Sequence, residues 1–375
     1  MTDWSRLVRP SLPGLEPYRP GASVRELKRD HGLDELVKLN WNEDLFGVLP
    51  GIAEAIVEEL PNVWLYPEQA YADLREAVAR WVGTTPDRIV PAHGIQALVS
   101  TVAHAFLREG DRVVIPRPTY GLYAQVCAAA GAEVWRVPLR DLRLDLDAVA
   151  AAAREHRAKL VWVCDPNNPT GSLVEPGEWE RFLEALPDGT VAVVDEAYRE
   201  YADPKKLVRR EPEVEAGRPV LLLRTFSKIF GLAGLRLGYA IADPELAGYL
   251  DVVQEPFNVN RAALAAGRAC LRQPELLAGR RLQSAAARAL LIRLLARAGM
   301  RPLHSEANFV LVEVGVDDVA LAAALVRRGL LIRPGSEFGL EGYVRITVGP
   351  PELMERAAAA LAEARESVLA RESVR

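Results

Sequence analysis

The stretch LVWVCDPNNPTGSLVEPGEWERFLEALPDGTVAVVDEAY runs from Leu160 to Tyr198 and reads as strand, turn, helix, turn, strand. Leu160-Val-Trp-Val-Cys164 and Val191-Ala-Val-Val194 are apolar at every position, without the alternation of a half-exposed strand. A helical window from Glu178 to Ala185 separates them, and Asp188-Gly189 marks the return turn. Strands hidden on both faces and joined through helices belong to a mostly parallel sheet with helices on either side.

Working outward, the same signature recurs at Arg88-Ile-Val90, Arg112-Val-Val-Ile115, Glu133-Val-Trp-Arg-Val137, Val220-Leu-Leu-Leu223 and Gly238-Tyr-Ala-Ile241. Helical windows from Gly94 to Leu107 and from Leu146 to Glu155 lie among them, which predicts an α/β fold with a mostly parallel seven-stranded sheet. Beyond Pro256 the character changes to a long Ala/Leu/Arg helical region reaching Gly299. Strand signals at Asn308–Glu313, Leu330–Arg333 and Tyr343–Val348 follow, with helices around Val319–Arg328 and from Pro351, predicting a smaller C-terminal α+β unit. The expected division is an irregular arm over 1–33, a large domain over 34–265 and a small domain over 266–375.

Composition narrows the function. Of 375 residues 26% are charged, the net charge is -5 and the pI is near 5.8, which gives no reason to expect a nucleic-acid partner. The N-terminus lacks the apolar core of a signal peptide and no uncharged apolar stretch reaches membrane-spanning length, so a cytoplasmic protein is expected. Cys127, Cys164 and Cys270 are isolated, the five histidines show no metal spacing, and no disulfide framework or metal centre is expected.

Lysine is scarce, at six of the 46 basic residues, yet Lys228 follows the strand at Val220 in Arg224-Thr-Phe-Ser-Lys228. An amine can lose its proton and act as a nucleophile; a guanidinium cannot. Three other stretches sit at ends of predicted strands: Cys164–Gly171, Val194–Tyr198 and Ala92-His-Gly-Ile-Gln96. Taken singly, each also reads as a turn or a helix cap, Asp195 included. Together they bring an amine, an acid, hydrogen-bonding Asn and Tyr and a helix N-terminus to the crevice beyond the strands' carboxyl ends.

Asn167-Asn-Pro-Thr-Gly171, Asp195-Glu-Ala-Tyr198 and Ser227-Lys-x-Phe-Gly-Leu-Ala-Gly-Leu-Arg236-x-Gly resemble the fold-type-I, pyridoxal-phosphate-dependent aminotransferases. The likeness is greatest to the histidinol-phosphate branch and spans nearly the whole chain. It runs from Pro17-Tyr18 through Leu39-Asn-x-Asn-Glu43 and Leu65-Tyr66-Pro to Leu-Ile-Arg333 and Tyr343-Val-Arg345. The resemblance implies that Lys228 holds pyridoxal 5'-phosphate covalently and then shuttles a proton, with Asp195 on the pyridine nitrogen. It further implies Asn168 and Tyr198 on the phenolic oxygen and Tyr120 stacked on the ring. Backbone amides of Ile95 and Gln96, with Ser227 and Arg236, would hold the phosphate, and Tyr66 would reach across from a partner subunit of a homodimer. Ile95-Gln96 departs from the family, where a small residue and then Asp are usual.

By the same resemblance Arg333 and Arg345 grip the anionic end of the substrate, with Tyr18, Trp41, Asn168 and Asn258 near it. Trp41 stands where the family has a small residue, a place from which it would narrow the substrate range, favour aromatic substrates or serve simply in packing. The expected reaction moves an amino group between histidinol phosphate and a 2-oxo acid, 2-oxoglutarate. Alternatives on the same fold are an aromatic or other amino-acid aminotransferase and a threonine-phosphate decarboxylase. The aminotransferase-like sensor of a transcription regulator is a further alternative, opposed by the acidic balance.

Overall fold

The computed structural model describes residues 2–17, 23–68 and 70–372. A seven-stranded sheet runs in the order Ile89–Ala92, Gly238–Ile241, Val220–Thr225, Val191–Asp195, Leu160–Cys164, Arg112–Arg117, Glu133–Pro138. Only Gly238–Ile241 pairs antiparallel to its neighbours; every other pairing is parallel. The two-residue alternation of a strand explains why so apolar a sequence was needed. Trp162, Val193, Leu221 and Leu223 enter one core cluster, while Val161, Val163, Val194 and Leu222 enter the cluster on the opposite face.

A four-stranded antiparallel sheet follows, in the order Arg333–Pro334, Tyr343–Thr347, Phe309–Glu313, Arg301–Pro302. Val310, Val312, Val344 and Ile346 face a third core built with Leu291, Leu295, Leu321 and Leu361. Alternation therefore turns Phe309 and Arg345 to the other side, toward the large sheet, where Phe309 joins one of its clusters.

The expected helical region after Pro256 forms two helices, Arg261–Leu271 and Pro274–Arg297. Pro274 has no amide hydrogen to continue the first helix, and it serves at the first position of the second. Helix Arg261–Leu271 contributes Ala263, Ala266 and Ala269 to the large-sheet core, whereas Ala287, Leu291 and Leu295 of the next helix belong to the small unit.

The reading of residues before Asp34 as wholly irregular is corrected by a helix at Val24–His31. Ser23 and Glu26 form a reciprocal capping box at its start, and Gly32 in the left-handed conformation closes it. A two-residue strand, Val37–Lys38, pairs in parallel with Leu330–Leu331 and ties the start of the large unit to the small one.

Candidate active site

The carboxyl ends of the parallel strands and the outward face of the small sheet enclose a cleft of about 850 Å³. The strand Val220–Thr225 ends in a tight turn in which the Ser227 amide donates to Thr225 Oγ1 at 3.0 Å. That turn aims Lys228 into the cleft. Its Nζ donates to the carbonyls of Trp41 (3.1 Å) and Asn42 (2.9 Å) and lies 5.2 Å from the centre of the Tyr198 ring. Burial, then the Arg345 guanidinium, pushes the amine down to about 7, against the opposing pull of Glu43 and Asp195. Near neutral pH this lysine supplies an uncharged nitrogen.

Asp195 ends the neighbouring strand and is 3% exposed. The Tyr123 hydroxyl donates to its Oδ2 at 2.5 Å and the Ala197 amide to its Oδ1 at 2.9 Å. Burial pushes the carboxyl up to about 6, with those two hydrogen bonds and Lys228 opposing. The adjacent Glu196 has the opposite fate. Burial alone would raise it, but Arg224, Arg199 and Arg210 outweigh that and hold it down to about 2. Arg224 Nε and Arg210 Nη1 donate to Glu196 at 2.8 and 2.9 Å, and Arg210 Nη2 reaches on to Asp165 at 2.6 Å. Forked guanidiniums spanning two carboxylates pin the ends of adjacent strands behind Asp195.

An oxyanion cradle lies beside Lys228. The helix Gly94–Phe106 presents its first-turn amides, those of Ile95 and Gln96, with no side-chain cap. Arg236 donates to Ser227 Oγ at 3.3 Å and to Gln96 Oε1 at 3.1 Å. Two glycines make the space. A Cβ on Gly94, whose φ is +79°, would stand 2.8 Å from Arg236 Nη2, and one on Gly238 3.0 Å from the Ile95 nitrogen. Gln96 Nε2 also donates to the Tyr120 hydroxyl at 3.0 Å, and the Tyr120 ring meets Tyr123 edge-on at 5.4 Å.

On the opposite wall Asn168 Oδ1 accepts from Arg345 at 2.5 Å, and the Tyr198 hydroxyl accepts from Asn42 Nδ2 at 3.0 Å. Burial pushes the Tyr198 hydroxyl upward. The Arg345 guanidinium also bonds the Asn40 carbonyl and lies 5.3 and 5.2 Å from the rings of Phe309 and Phe338. Arg333 is its direct partner across the antiparallel pair and forms an ion pair with Glu337 at 2.5 Å. Trp41, 42% exposed, stands at the rim with Lys38 Nζ 3.9 Å over its ring.

The cleft thus gathers the expected residues on both walls, but not all of them. Tyr66 and Asn258 do not line it. Tyr66 stacks on Phe257 at 4.8 Å on an exposed apolar surface, and the Asn258 amide is spent on Tyr71 (3.1 Å) and Gln254 (2.7 Å). Tyr18 lies outside the described residues. Tyr123 and Asn42 emerge only from the structure. A spacing of three in Pro118-Thr-Tyr120-Gly-Leu-Tyr123 is the one sequence signal that a second tyrosine shares the face of the first. An uncharged amine, a buried carboxyl and an oxyanion cradle in one cleft suit a phosphorylated heteroaromatic aldehyde. The carboxyl would meet its ring nitrogen and the cradle its phosphate.

Comparison with known proteins matches residues 34–361 to the family described as aminotransferase class I and II. A histidinol-phosphate aminotransferase of Symbiobacterium thermophilum is 39% identical over 358 residues, 94% of this chain and 97% of the relative. One from a Geobacillus species is 36% identical, covering 95% and 97%. Among solved structures, the histidinol-phosphate aminotransferase from Sinorhizobium meliloti in complex with pyridoxal-5'-phosphate superposes with a TM-score of 0.89. It is 33% identical, over 96% of this chain and 97% of that one.

Proposed function

The chain belongs to the aminotransferase class I and II family, and we propose that it uses pyridoxal 5'-phosphate to move an amino group from histidinol phosphate to 2-oxoglutarate. One observation carries the donor assignment. Arg333 and Arg345 stand opposite each other on one antiparallel pair and both line the cleft, so an anion bound between them would meet two guanidinium forks. A phosphate monoester has enough oxygens to engage both, whereas a single carboxylate saturates one.

The bound cofactor supplies an electron-withdrawing ring that stabilises the electron pair left when the substrate loses its Cα proton. This chain's residues do the rest. Lys228, with its amine pushed down to about 7, accepts the proton at Nζ and returns it. Asp195, its carboxylate fixed by Tyr123 and Ala197, would meet the ring nitrogen and keep it protonated. Asn168 and Tyr198 would hold the phenolic side, Tyr120 would cover the ring, and Ser227, Arg236 and the amides of Ile95 and Gln96 would bind the phosphate.

The protein acts as a homodimer in the cytoplasm. Trp64 and Tyr66, 79% and 78% exposed, lie on an apolar surface shared with Phe257. In a dimer this surface is covered and Tyr66 enters the partner's cleft. Among the described residues no helix is long and apolar enough to cross a membrane.

Trp41 at the rim favours a second reading, an aromatic amino-acid aminotransferase. A half-reaction screen separates the two by following the cofactor's absorption with histidinol phosphate, phenylalanine, tyrosine and threonine phosphate as donors. Histidinol phosphate should give the highest rate constant per concentration. A preference for phenylalanine would overturn the assignment, and carbon dioxide release from threonine phosphate would change the reaction class.

A further inference from the structure

Arg333 carries a carboxylate of its own chain where a substrate anion would sit. Its side chain is only 14% exposed, and Glu337, 43% exposed, holds it with an N–O distance of 2.5 Å. Both residues line the cleft, and Glu337 lies in the short turn Gly335–Phe338 that also sets Phe338 between Arg333 and Arg345. A guanidinium this far from water needs a counter-ion before substrate arrives, and Glu337 supplies it. A substrate anion must then exchange with that carboxylate rather than fall into an empty site.

The displaced carboxylate has a destination. Arg117, at the end of the large-sheet strand Arg112–Arg117, lines the same cleft and makes no ion pair among the described residues. Its Nη2 lies 3.6 Å from where a Cβ on Gly339 would stand, two residues beyond Glu337. It comes from the large unit, whereas Glu337 belongs to the small one.

We propose that Glu337 is an exchangeable internal anion. It pairs with Arg333 in the free protein and passes to Arg117 across the cleft when a substrate anion takes Arg333. This rests on Arg333 being an anion-gripping residue and makes Glu337 and Arg117 positioning residues that set the affinity for anionic substrates. The exchange also ties anion binding to a new bridge between the two units.

The test uses protein loaded with pyridoxal phosphate, so that the oxyanion cradle is filled, and reads binding of inorganic phosphate from the rise in unfolding temperature. Glu337→Gln should tighten phosphate binding about fivefold, the scale of one partly exposed ion pair. Arg117→Gln should weaken it by a similar factor in the wild-type background and change nothing in the Glu337→Gln background. KM for the anionic donor should move in the same directions. If Glu337 only braces its turn, Glu337→Gln will leave phosphate binding unchanged or weaker, and the idea fails. Equal effects of Arg117→Gln in both backgrounds would show that Arg117 meets the anion directly, which also overturns the exchange. Phosphate binding is read without turnover, so a failed donor assignment in the screen above would not be mistaken for either result.

Discussion

Replacing Asp195 by Asn should make the cofactor-free protein more stable while removing its activity, and the gain should depend on pH. Burial raises this carboxyl from 3.8, its ordinary value, to about 6. The folded state therefore binds the proton more tightly than the unfolded chain, so the stability tied to Asp195 is fully present below about pH 4 and declines as pH rises to about 6. Above that the buried charge costs ~3 kcal/mol, an upper figure because the unfolded chain is not fully solvated. Asparagine has nearly the same shape and no charge. Its Oδ1 can keep the Ala197 amide, and its Nδ2 can donate to the Tyr123 hydroxyl, which accepts as readily as it donates. Urea unfolding of both apoproteins should show no difference near pH 4 and an advantage for the variant of ~2–3 kcal/mol near pH 8. The loaded proteins should reverse the order, since the bound ring nitrogen gives the wild-type carboxylate a partner. A difference constant with pH would refute the reasoning, because a lost cap or packing contact does not titrate.

Borohydride treatment of the loaded protein should fix the cofactor on Lys228 alone; peptide mapping that finds it on Lys205 or Lys206 would remove the basis of the site. Gly94→Ala should weaken pyridoxal phosphate binding about tenfold in a fluorescence titration. The new methyl would stand 2.8 Å from Arg236 Nη2 at a φ of +79°, where an L-residue is strained by about 1 kcal/mol. An unchanged affinity would place the phosphate elsewhere.

Much of this is legible in the sequence alone. The central strands of the large sheet are apolar enough on both faces to be read as buried, and the runs at Leu160–Cys164 and Gly238–Ile241 match the strands to the residue. The edge strand Glu133–Pro138, by contrast, carries Glu133 and Arg136 and is mostly exposed. Lys228 stood out because lysine is rare here and amines do what guanidiniums cannot. The helix Val24–His31 leaves little trace in the hydrophobic pattern, although Ser23 and Glu26 announce a capping box, because its charged sequence buries no side chain. The pairing of Val37–Lys38 with Leu330–Leu331 was out of reach. Two residues carry no periodicity, and their partner lies almost the whole chain away. Tyr123 and Glu337 escaped for a different reason. Their significance lies in which charge they meet, and only the fold decides that.

The strand Tyr343–Thr347 divides its duties by parity. Val344 and Ile346 are locked into the small unit's core, while Arg345 and Thr347 turn the other way, to Asn168 and Asn42. Mutation can therefore rewrite the outward letters without touching the inward ones, although a change at 345 also reaches Lys228, whose amine its guanidinium holds down. Lineages that share the cofactor machinery can in this way diverge in diet by changing single residues on one short ribbon. The same arrangement offers the protein engineer a short cassette whose changes would be read in recognition and in the titration of Lys228.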